Sequence, residues 1–436
     1  MKSVGAYEIV GRLGRGGMST VYKAKAPFSG RLVALKILQP RNEVFVDLVG
    51  WAALCRAFLA EARIMAGFAH PHIAQVVDCG EHEACPYIVL EYYSHSVGGV
   101  LGEAYRIEEK ARPLQPGTAL RYLQQTLKGL VRLHAAGIIH RDIKPYNLML
   151  TSDNRIKIID FGLSRVRGEE LLAVPGMQVG SPYYAAPELR QRDGLVDGRA
   201  DLYSLAVVAY RMLTGCLLGT EAVLPAAWPR DWRAFMERSL QLNPKDRFAS
   251  AEEMLVAMEG LGEECLVGEE LLPQAAVGKA HILRSQPQRI LFKDVARKLG
   301  LDKLLRPLVS ASSELVEIDS FQAVDRGAGL LWQRRGSGYP MTTYQAHHYI
   351  EHLNEVCWRD RQDWRLPTLA ELLTLLPCRG QATLSAPGRL FSSDIHWLWS
   401  SDLSNKKQAW AMDFMEGYVE RLDKDGAASV CAVSSL

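Results

Sequence analysis

The chain has 436 residues, 48% of them hydrophobic, so it is long enough for two or three buried cores and too apolar for general disorder. Its 51 Lys and Arg residues nearly balance 49 Asp and Glu, which argues against nucleic-acid binding through overall positive charge. No apolar run is long enough to span a bilayer, no signal sequence follows Met1, and the eight cysteines form no C-x-x-C pair. These features predict a soluble protein of the cytoplasm.

Short runs rich in apolar residues predict five strands in the first part of the chain, interrupted by one helix. In order these elements are strands over 7–13, 20–26 and 32–38, a helix over 44–67, and strands over 73–79 and 87–92. From Thr118 the apolar spacing changes to about 3.6 residues, which predicts a long helix. Further helices are predicted over 199–214, 231–240 and 250–258. A strand-rich lobe therefore precedes a helical lobe.

Residues 261–316 have the composition of a connector, because glycine and proline interrupt the first half. The second half, 290–308, predicts an amphipathic helix rich in Lys and Arg. Such a helix either packs on a neighbouring domain or lies on a membrane surface. Six of the nine tryptophans lie within 317–436, which predicts a separate domain with an aromatic core.

The most informative motif runs from His140 to Asn147 and is followed by Asp160-Phe161-Gly162. Phosphoryl transfer requires a carboxylate to orient the attacking hydroxyl, a cation near the transferred group and oxygen ligands for magnesium. Asp142, Lys144, Asn147 and Asp160 provide those groups in the order of a catalytic loop and a magnesium loop.

A glycine-rich turn over residues 14–21 lies between the first two predicted strands. Glycines allow the backbone N–H groups of such a turn to approach phosphates closely. Lys36 follows one strand later, and Glu61 on the next helix is placed to pair with it. The alternative for this pair is an ordinary surface ion pair, which would contribute little.

With these motifs in place, residues 7–260 resemble a eukaryotic-type (Hanks-type) Ser/Thr protein kinase of the bacterial branch. The resemblance extends to Ala186-Pro187-Glu188, Asp201 and Arg247. It implies an α+β, bilobal protein kinase fold with a β-rich N-lobe and a helical C-lobe. It also implies that the protein transfers the γ-phosphoryl group of ATP to Ser or Thr of protein substrates, with Mg²⁺ or alternatively Mn²⁺.

The resemblance assigns a role to each motif position. Asp142 would accept the proton of the substrate hydroxyl, Lys144 would neutralise the transferred phosphoryl, and Asn147 and Asp160 would hold the metal. Asp201 would brace the catalytic loop. The positions implied to contact ATP, directly or through Lys36, are Leu13, Gly14, Gly16, Gly17, Val21, Ala34, Lys36, Glu61, Glu91, Tyr93 and Met149.

The rival hypothesis is a non-catalytic nucleotide-binding scaffold, a pseudokinase. It requires the loss of at least one of the residues that bind metal or act on the substrate. Lys36, Asp142, Asn147 and Asp160 are all present, so the sequence disfavours the scaffold.

The activation segment, 160–188, departs from the family pattern. Arg141 normally meets a phosphate on this segment, yet the only Ser or Thr residues there are Ser164 and Ser181. We expect a kinase that is not switched on by segment phosphorylation. The stretch 216–229 is also short, which predicts a reduced peptide-docking surface.

The last part of the chain carries a second resemblance, in Val324–Gln333, Asp363–Leu372 and Trp399–Ser401. These stretches resemble the Lcl C-terminal domain family, which is similar to C-type lectin-like folds, and imply a smaller α+β domain over 317–436. Thr368 followed by Glu371 predicts a helix capping box. Two functions stay open for this domain: sensing an unknown ligand or recruiting a protein partner.

Overall fold

A computed structural model describes most of the chain. The described residues are 2–41, 46–47, 49–103, 107–160, 165–166, 183–190, 196–219, 224–226, 228–261, 276–277, 283–310, 315–376, 390–392 and 395–436. They belong to two compact units, of which the first comprises 1–151 and 155–266 and the second 152–154 and 267–436.

The first unit contains a strand-rich lobe followed by a helical lobe, which confirms the predicted α+β class. Its strands are β1 Ser3–Val4, β2 Tyr7–Arg15, β3 Ser19–Lys25, β4 Leu32–Leu38, β5 Val76–His82, β6 Cys85–Glu91, β7 His95–Ser96, β8 Ile138–Ile139, β9 Leu148–Leu150, β10 Ile156–Ile158 and β11 Arg165–Val166. Its helices are α1 Trp51–Ala66, α2 Val97–Leu101, α3 Pro116–Ala135, α4 Arg199–Thr214, α5 Arg230–Ser239 and α6 Ala251–Glu259.

Six antiparallel strands form the main sheet of this unit, in the order β1-β2-β3-β4-β6-β5. Val33, Leu35 and Ile37 of β4 are almost completely buried, because this strand lies in the interior of the sheet. Helix α1 buries Leu54, Phe58 and Met65 along one stripe, as expected for an amphipathic helix. The sheet therefore holds β4 and α1 in the positions that place Lys36 and Glu61.

Helix α4 is buried along almost its whole length and is the central element of the helical lobe. It ends at Gly215, which has a left-handed conformation with φ of 71°. A Cβ atom at this position would lie 2.3 Å from the carbonyl oxygen of Ala111, so the chain requires glycine here.

The second unit combines two antiparallel sheets with three helices among its described residues. Its strands are β12 Ala276–Val277, β13 Val309–Ser310, β14 Leu315–Glu317, β15 Gln322–Asp325, β16 Leu330–Gln333, β17 Trp397–Leu403, β18 Gln408–Asp413, β19 Tyr418–Asp423 and β20 Val433–Ser435, and its helices are α7 Phe292–Leu299, α8 Thr343–Glu355 and α9 Leu369–Leu373. The sheets have the orders β14-β15-β16-β20 and β17-β18-β19, and β12 pairs with β13 in parallel.

Tryptophans form much of the core of the second unit. Trp332, Trp364, Trp399 and Trp410 are each at most 2% exposed, which supports core packing over a ligand cage. The predicted capping box is present, since Thr368 and Glu371 exchange side chain–backbone hydrogen bonds at the start of α9. In contrast, Tyr339 and Tyr344 are 64% and 72% exposed.

The helix predicted over 290–308 is shorter in the structure, where α7 covers only Phe292–Leu299. Gly300 ends it in a left-handed conformation, and the Asp302 carboxylate then accepts backbone N–H groups of a following turn. Val295 and Leu299 are buried in the same cluster as Trp332 and Trp410. Because its apolar face is covered within the second unit, α7 has the packing role rather than the membrane-surface role.

The six cysteines in the described part of the chain carry no disulfide. Cys431 is completely buried, and burial raises the pKa of its thiol. Among the described residues, no helix combines the length and apolar character that crossing a bilayer requires.

A buried carboxylate, Asp402, connects three segments of the second unit. Its two oxygens accept hydrogen bonds from both terminal nitrogens of Arg284, at 2.8 and 2.6 Å. They also accept the backbone N–H groups of Gln288 and Leu369. Asp402 is 0% exposed, so Arg284 rather than water compensates its negative charge.

We expect Arg284→Ala to lower the free energy of unfolding of the second unit by about 3 kcal/mol, because it leaves a buried carboxylate without its cation. Urea unfolding followed by tryptophan fluorescence would measure the change, since six of nine tryptophans lie in 317–436. Arg297→Ala is the control, because Arg297 is 82% exposed and its pair with Asp294 is long at 3.5 Å. Equal effects of the two substitutions would contradict the prediction.

Candidate active site

The predicted catalytic loop brings two polar side chains together around the carboxylate of Asp142. Lys144 Nζ lies 2.6 Å from Asp142 Oδ2, and Asn147 Nδ2 lies 3.0 Å from the same oxygen. Asn147 Nδ2 also donates to the carbonyl oxygen of Asp142 at 2.8 Å. The turn Pro145–Asn147 between strands β8 and β9 allows this arrangement, because it folds the amide back onto the loop. Asp142 is therefore held in one orientation by its own loop.

The backbone of this loop is anchored by Asp201 at the start of α4. Asp201 is 0% exposed and accepts the N–H groups of His140 at 2.9 Å and Arg141 at 2.7 Å. His134 Nε2 donates to the same carboxylate at 2.8 Å. Burial alone would raise the pKa of Asp201, yet these hydrogen bonds and the nearby histidines lower it, so the carboxylate stays ionised.

Two residues of the site have left-handed backbone conformations that non-glycine residues rarely adopt. Arg141 and Asp160 both have a φ of 66°. His140 connects them, because its Nδ1 accepts the N–H of Asp142 at 3.2 Å and its Nε2 donates to the carbonyl of Ile159 at 3.0 Å. Such conformations persist only where surrounding contacts enforce them, and here they place Asp142 and Asp160.

Lys36 on β4 connects the sheet to the metal-loop carboxylate. Its Nζ lies 2.7 Å from Glu61 Oε1 on α1 and 2.9 Å from Asp160 Oδ1. Burial alone would lower the pKa of Lys36, but the two carboxylates outweigh it and raise the pKa. The Lys36 charge in turn lowers the pKa of Asp160 to about 2. The pair is thus buried and specific, unlike an ordinary surface ion pair.

The glycine-rich turn joins β2 to β3. Its hydrogen bond runs from Gly16 N to Ser19 O at 2.8 Å, and Leu13, just ahead of the turn, is 46% exposed. Nothing lies within 4 Å of the position that a Cβ atom would occupy on Gly14 or Gly17. The turn therefore leaves open space next to its backbone, as a phosphate cradle requires.

The other residues implied to contact ATP lie on strands of both lobes or just after a strand. Ala34 of β4 is opposite Leu90 of β6 and opposite Lys23 of β3, two residues beyond Val21. Glu91 ends β6, and Tyr93 follows it and donates to Glu91 Oε2 at 2.6 Å. Met149 lies on β9, in the small sheet with β7 and β10. Val21 and Ala34 thus lie on interior strands of the sheet, while Glu91 and Tyr93 lie where the chain leaves it.

The donor set for a divalent metal fits Mg²⁺, which prefers oxygen ligands. Asn147 points its amide nitrogen at Asp142, so its amide oxygen faces the other way. The Asp160 side chain is 43% exposed, which leaves the carboxylate accessible to an ion. Phe161 and Gly162 lie outside the described residues.

Glu188 and Arg247 form a buried ion pair in the helical lobe. The two nitrogens of Arg247 lie 2.7 and 2.9 Å from the two oxygens of Glu188. Arg247 also donates to the backbone carbonyls of Arg199, Gln241 and Leu242. The pair fixes the end of the activation segment. Ser164, Ser181 and most of that segment lie outside the described residues.

Two groups of contacts in this unit were not predicted from the sequence. His134, on α3, supports Asp201, and a histidine at the end of a helix gave no signal for this contact. Tyr184, Glu103 and Arg211 form a buried cluster in the helical lobe. One signal for the cluster existed, because Arg211 interrupts an otherwise apolar stretch of α4.

Comparison with known families agrees with this geometry. The profile of the family described as Protein kinase domain matches residues 7–257, more than half of the chain. The chain belongs to the protein kinase family. A second profile, described as Lcl C-terminal domain, matches residues 322–434.

Several curated relatives of this chain come from bacteria. The probable serine/threonine-protein kinase pknA2 of Bifidobacterium longum is 36% identical over 218 residues, which are 48% of this chain and 27% of the relative. Serine/threonine-protein kinase Pkn1 of Myxococcus xanthus is 36% identical over 218 residues, 49% of this chain and 29% of the relative. PknL of Mycobacterium tuberculosis is 30% identical over 285 residues, 61% of this chain and 68% of the relative. The chain thus spans under a third of the first two relatives.

We expect Lys36→Met to raise the pKa of Asp160 from about 2 towards its usual value of 3.8, because the nearest cation is removed. In the wild type, the low pKa stabilises the fold above pH 3.8, and this contribution is lost as the pH falls towards about 2. NMR titration of the Asp160 side-chain carboxyl carbon would measure both values. Lys245→Met, a change on the distant turn Pro244–Asp246, is the control. An unchanged Asp160 pKa in Lys36→Met would refute the assignment.

Proposed function

We propose that this protein is an ATP-dependent protein kinase that phosphorylates Ser or Thr of protein substrates. The observation that carries the proposal is the Asp142 carboxylate, which is held between Lys144 and Asn147 on a loop anchored by Asp201. A scaffold that only binds nucleotide has no need of this arrangement. The names of the bacterial relatives support the same reaction class.

In the proposed mechanism Asp142 orients the substrate hydroxyl and accepts its proton as the oxygen attacks the γ-phosphorus of ATP. The bond between the γ-phosphorus and the bridging oxygen breaks in the same step, and ADP leaves. Lys144, 2.6 Å from Asp142, is close enough to neutralise charge that develops on the transferred group. Lys36 contacts the phosphates of ATP while Glu61 holds its ammonium in place. Asn147 and Asp160 would hold Mg²⁺, or Mn²⁺ as the alternative, and the ion would offset phosphate charge.

The proposed substrate class is Ser and Thr, because Lys144 two residues after Asp142 is the pattern of Ser/Thr catalytic loops. We infer a cytoplasmic location, which agrees with the absence of disulfides among the six described cysteines.

For the second unit we propose that it senses a ligand or recruits a protein partner. Its match to the Lcl C-terminal domain family supports a separate module beside the kinase.

We expect Asp142→Asn to reduce phosphate transfer by about 10²- to 10⁴-fold while ATP binding is retained, because the substitution removes the base and leaves the nucleotide contacts. Transfer from radiolabelled ATP to a degenerate Ser/Thr peptide library would measure the rate, with Mg²⁺, with Mn²⁺ and with chelator. Fluorescent nucleotide binding is the matched measurement. Equal labelling by both proteins would refute catalysis, and nucleotide binding by an inactive wild type would favour the scaffold.

Control of the activation segment gives a separate prediction. Ser164 and Ser181 are the only Ser or Thr residues between Asp160 and Glu188. We expect Ser164→Ala to retain activity within about twofold, because no phosphate on this residue is needed to order the segment. Mass spectrometry after incubation with ATP, combined with activity before and after phosphatase treatment, would check this. A segment phosphate that raises activity would overturn it.

A further inference from the structure

Arg211 is a charged residue in the middle of the buried helix α4. Its side chain is 1% exposed, and its guanidinium makes hydrogen bonds in four directions. Nε donates to Glu103 Oε1 at 2.8 Å, and Nη1 donates to the carbonyl of Gly215 at 2.8 Å. Nη2 donates to the carbonyls of Ile107 and Glu109, both at 2.9 Å. One side chain therefore fixes the segment that follows α2 onto the central helix.

Tyr184 connects the end of the activation segment to this ion pair. It is 2% exposed, and its hydroxyl donates to Glu103 Oε1 at 2.5 Å, the oxygen that also accepts from Arg211. Burial and the neighbouring Glu103 carboxylate raise the pKa of Tyr184, so the hydroxyl remains a donor. Four residues further on, the Glu188–Arg247 pair holds the same stretch of chain. Residues 184–188 are thus fixed at both ends.

Stability alone does not explain a charged pair at this depth. A buried Arg–Glu pair is often no more stable than well-packed apolar residues of similar volume. What the pair adds is a defined orientation, because a guanidinium donates and a carboxylate accepts hydrogen bonds only in a fixed geometry. Within the described part of the chain, Glu103 Oε2 has no hydrogen-bond partner, so both donors converge on Oε1. The Tyr184 hydroxyl and the Arg211 guanidinium therefore bind the same oxygen atom.

The activation segment has few Ser or Thr residues that could carry a phosphate and so order the segment. Kinase segments are commonly ordered when a phosphate meets arginine residues. Here the segment between Asp160 and Glu188 contains Ser164 and Ser181 as its only Ser or Thr residues. The Tyr184 hydroxyl is buried and engaged with a carboxylate, so it is a poor phosphate acceptor. The Glu103–Arg211 pair anchors the end of the segment in another way. Its anion is the Glu103 carboxylate, which belongs to the helical lobe and needs no phosphorylation.

We propose that Tyr184, Glu103 and Arg211 form a brace that positions the protein substrate next to Asp142 without a phosphate on the activation segment. The inference rests on the proposed kinase function and assigns Tyr184 and Arg211 as positioning residues. They hold the end of the activation segment, and neither of them is among the residues implied to contact ATP. Their loss should therefore affect use of the peptide and leave ATP handling in place.

The test compares the full-length wild type with Tyr184→Phe, using one Ser/Thr peptide selected from a degenerate library on the wild type. We expect Tyr184→Phe to raise the KM for the peptide about tenfold, because one hydrogen bond to a charged group is lost. The KM for ATP and the hydrolysis of ATP without peptide should stay within about twofold. Arg211→Lys keeps the positive charge, removes the bonds to the carbonyls of Ile107 and Glu109, and should raise the same KM.

Tyr7→Phe is the matched control. Tyr7 is also buried and donates to a carboxylate, Asp78, at 2.6 Å, but it lies on β2 of the sheet. A peptide KM that is unchanged in Tyr184→Phe, or that rises equally in Tyr7→Phe, would overturn the brace. A parallel loss of ATP hydrolysis would show a merely structural role and overturn it as well. A wild type that phosphorylates no peptide would overturn the proposed function itself, which separates the two failures.

Discussion

The active site of this kinase depends on the buried carboxylate of Asp201. It accepts the backbone N–H groups of His140 and Arg141, and so stabilises a left-handed conformation at Arg141 that would otherwise cost about 1–3 kcal/mol. That conformation directs the next residue, Asp142, towards Lys144 and Asn147. Because Asp201 begins the most deeply buried helix of the unit, the geometry of the catalytic loop follows from the packing of the helical lobe.

A second constraint links the two lobes through charge. Lys36 is surrounded by Glu61 and Asp160, which come from a helix of the strand-rich lobe and from the metal loop. Removing Lys36 would leave the buried Glu61 carboxylate without its cation, so the position of Glu61 depends on the lysine. The same logic applies to Arg247 and to Arg211, each of which satisfies a glutamate and several backbone carbonyls. Two buried ion pairs thus fix separate segments of the helical lobe to its central helix and to each other.

The sequence predicted this first unit well, because its signals are local. Alternating apolar residues placed strand β4, and the spacing of leucines placed α3, while the motif residues had fixed offsets along the chain. The brace of Tyr184, Glu103 and Arg211 was not predicted. Its residues share no motif, and Tyr184 and Glu103 are more than 80 residues apart in the chain. Helix α7 was predicted too long, because the basic residues beyond Gly300 continued the pattern although the glycine ended the helix.

In the second unit, the residues that maintain the fold and the residues that face solvent are different sets. The fold rests on the buried tryptophans and on Asp402, whereas Tyr339 and Tyr344 project from the surface. Substitution at exposed positions away from caps and buried pairs changes stability little. The exposed aromatic surface of this unit can therefore change in sequence while its core, and with it the fold, stays the same.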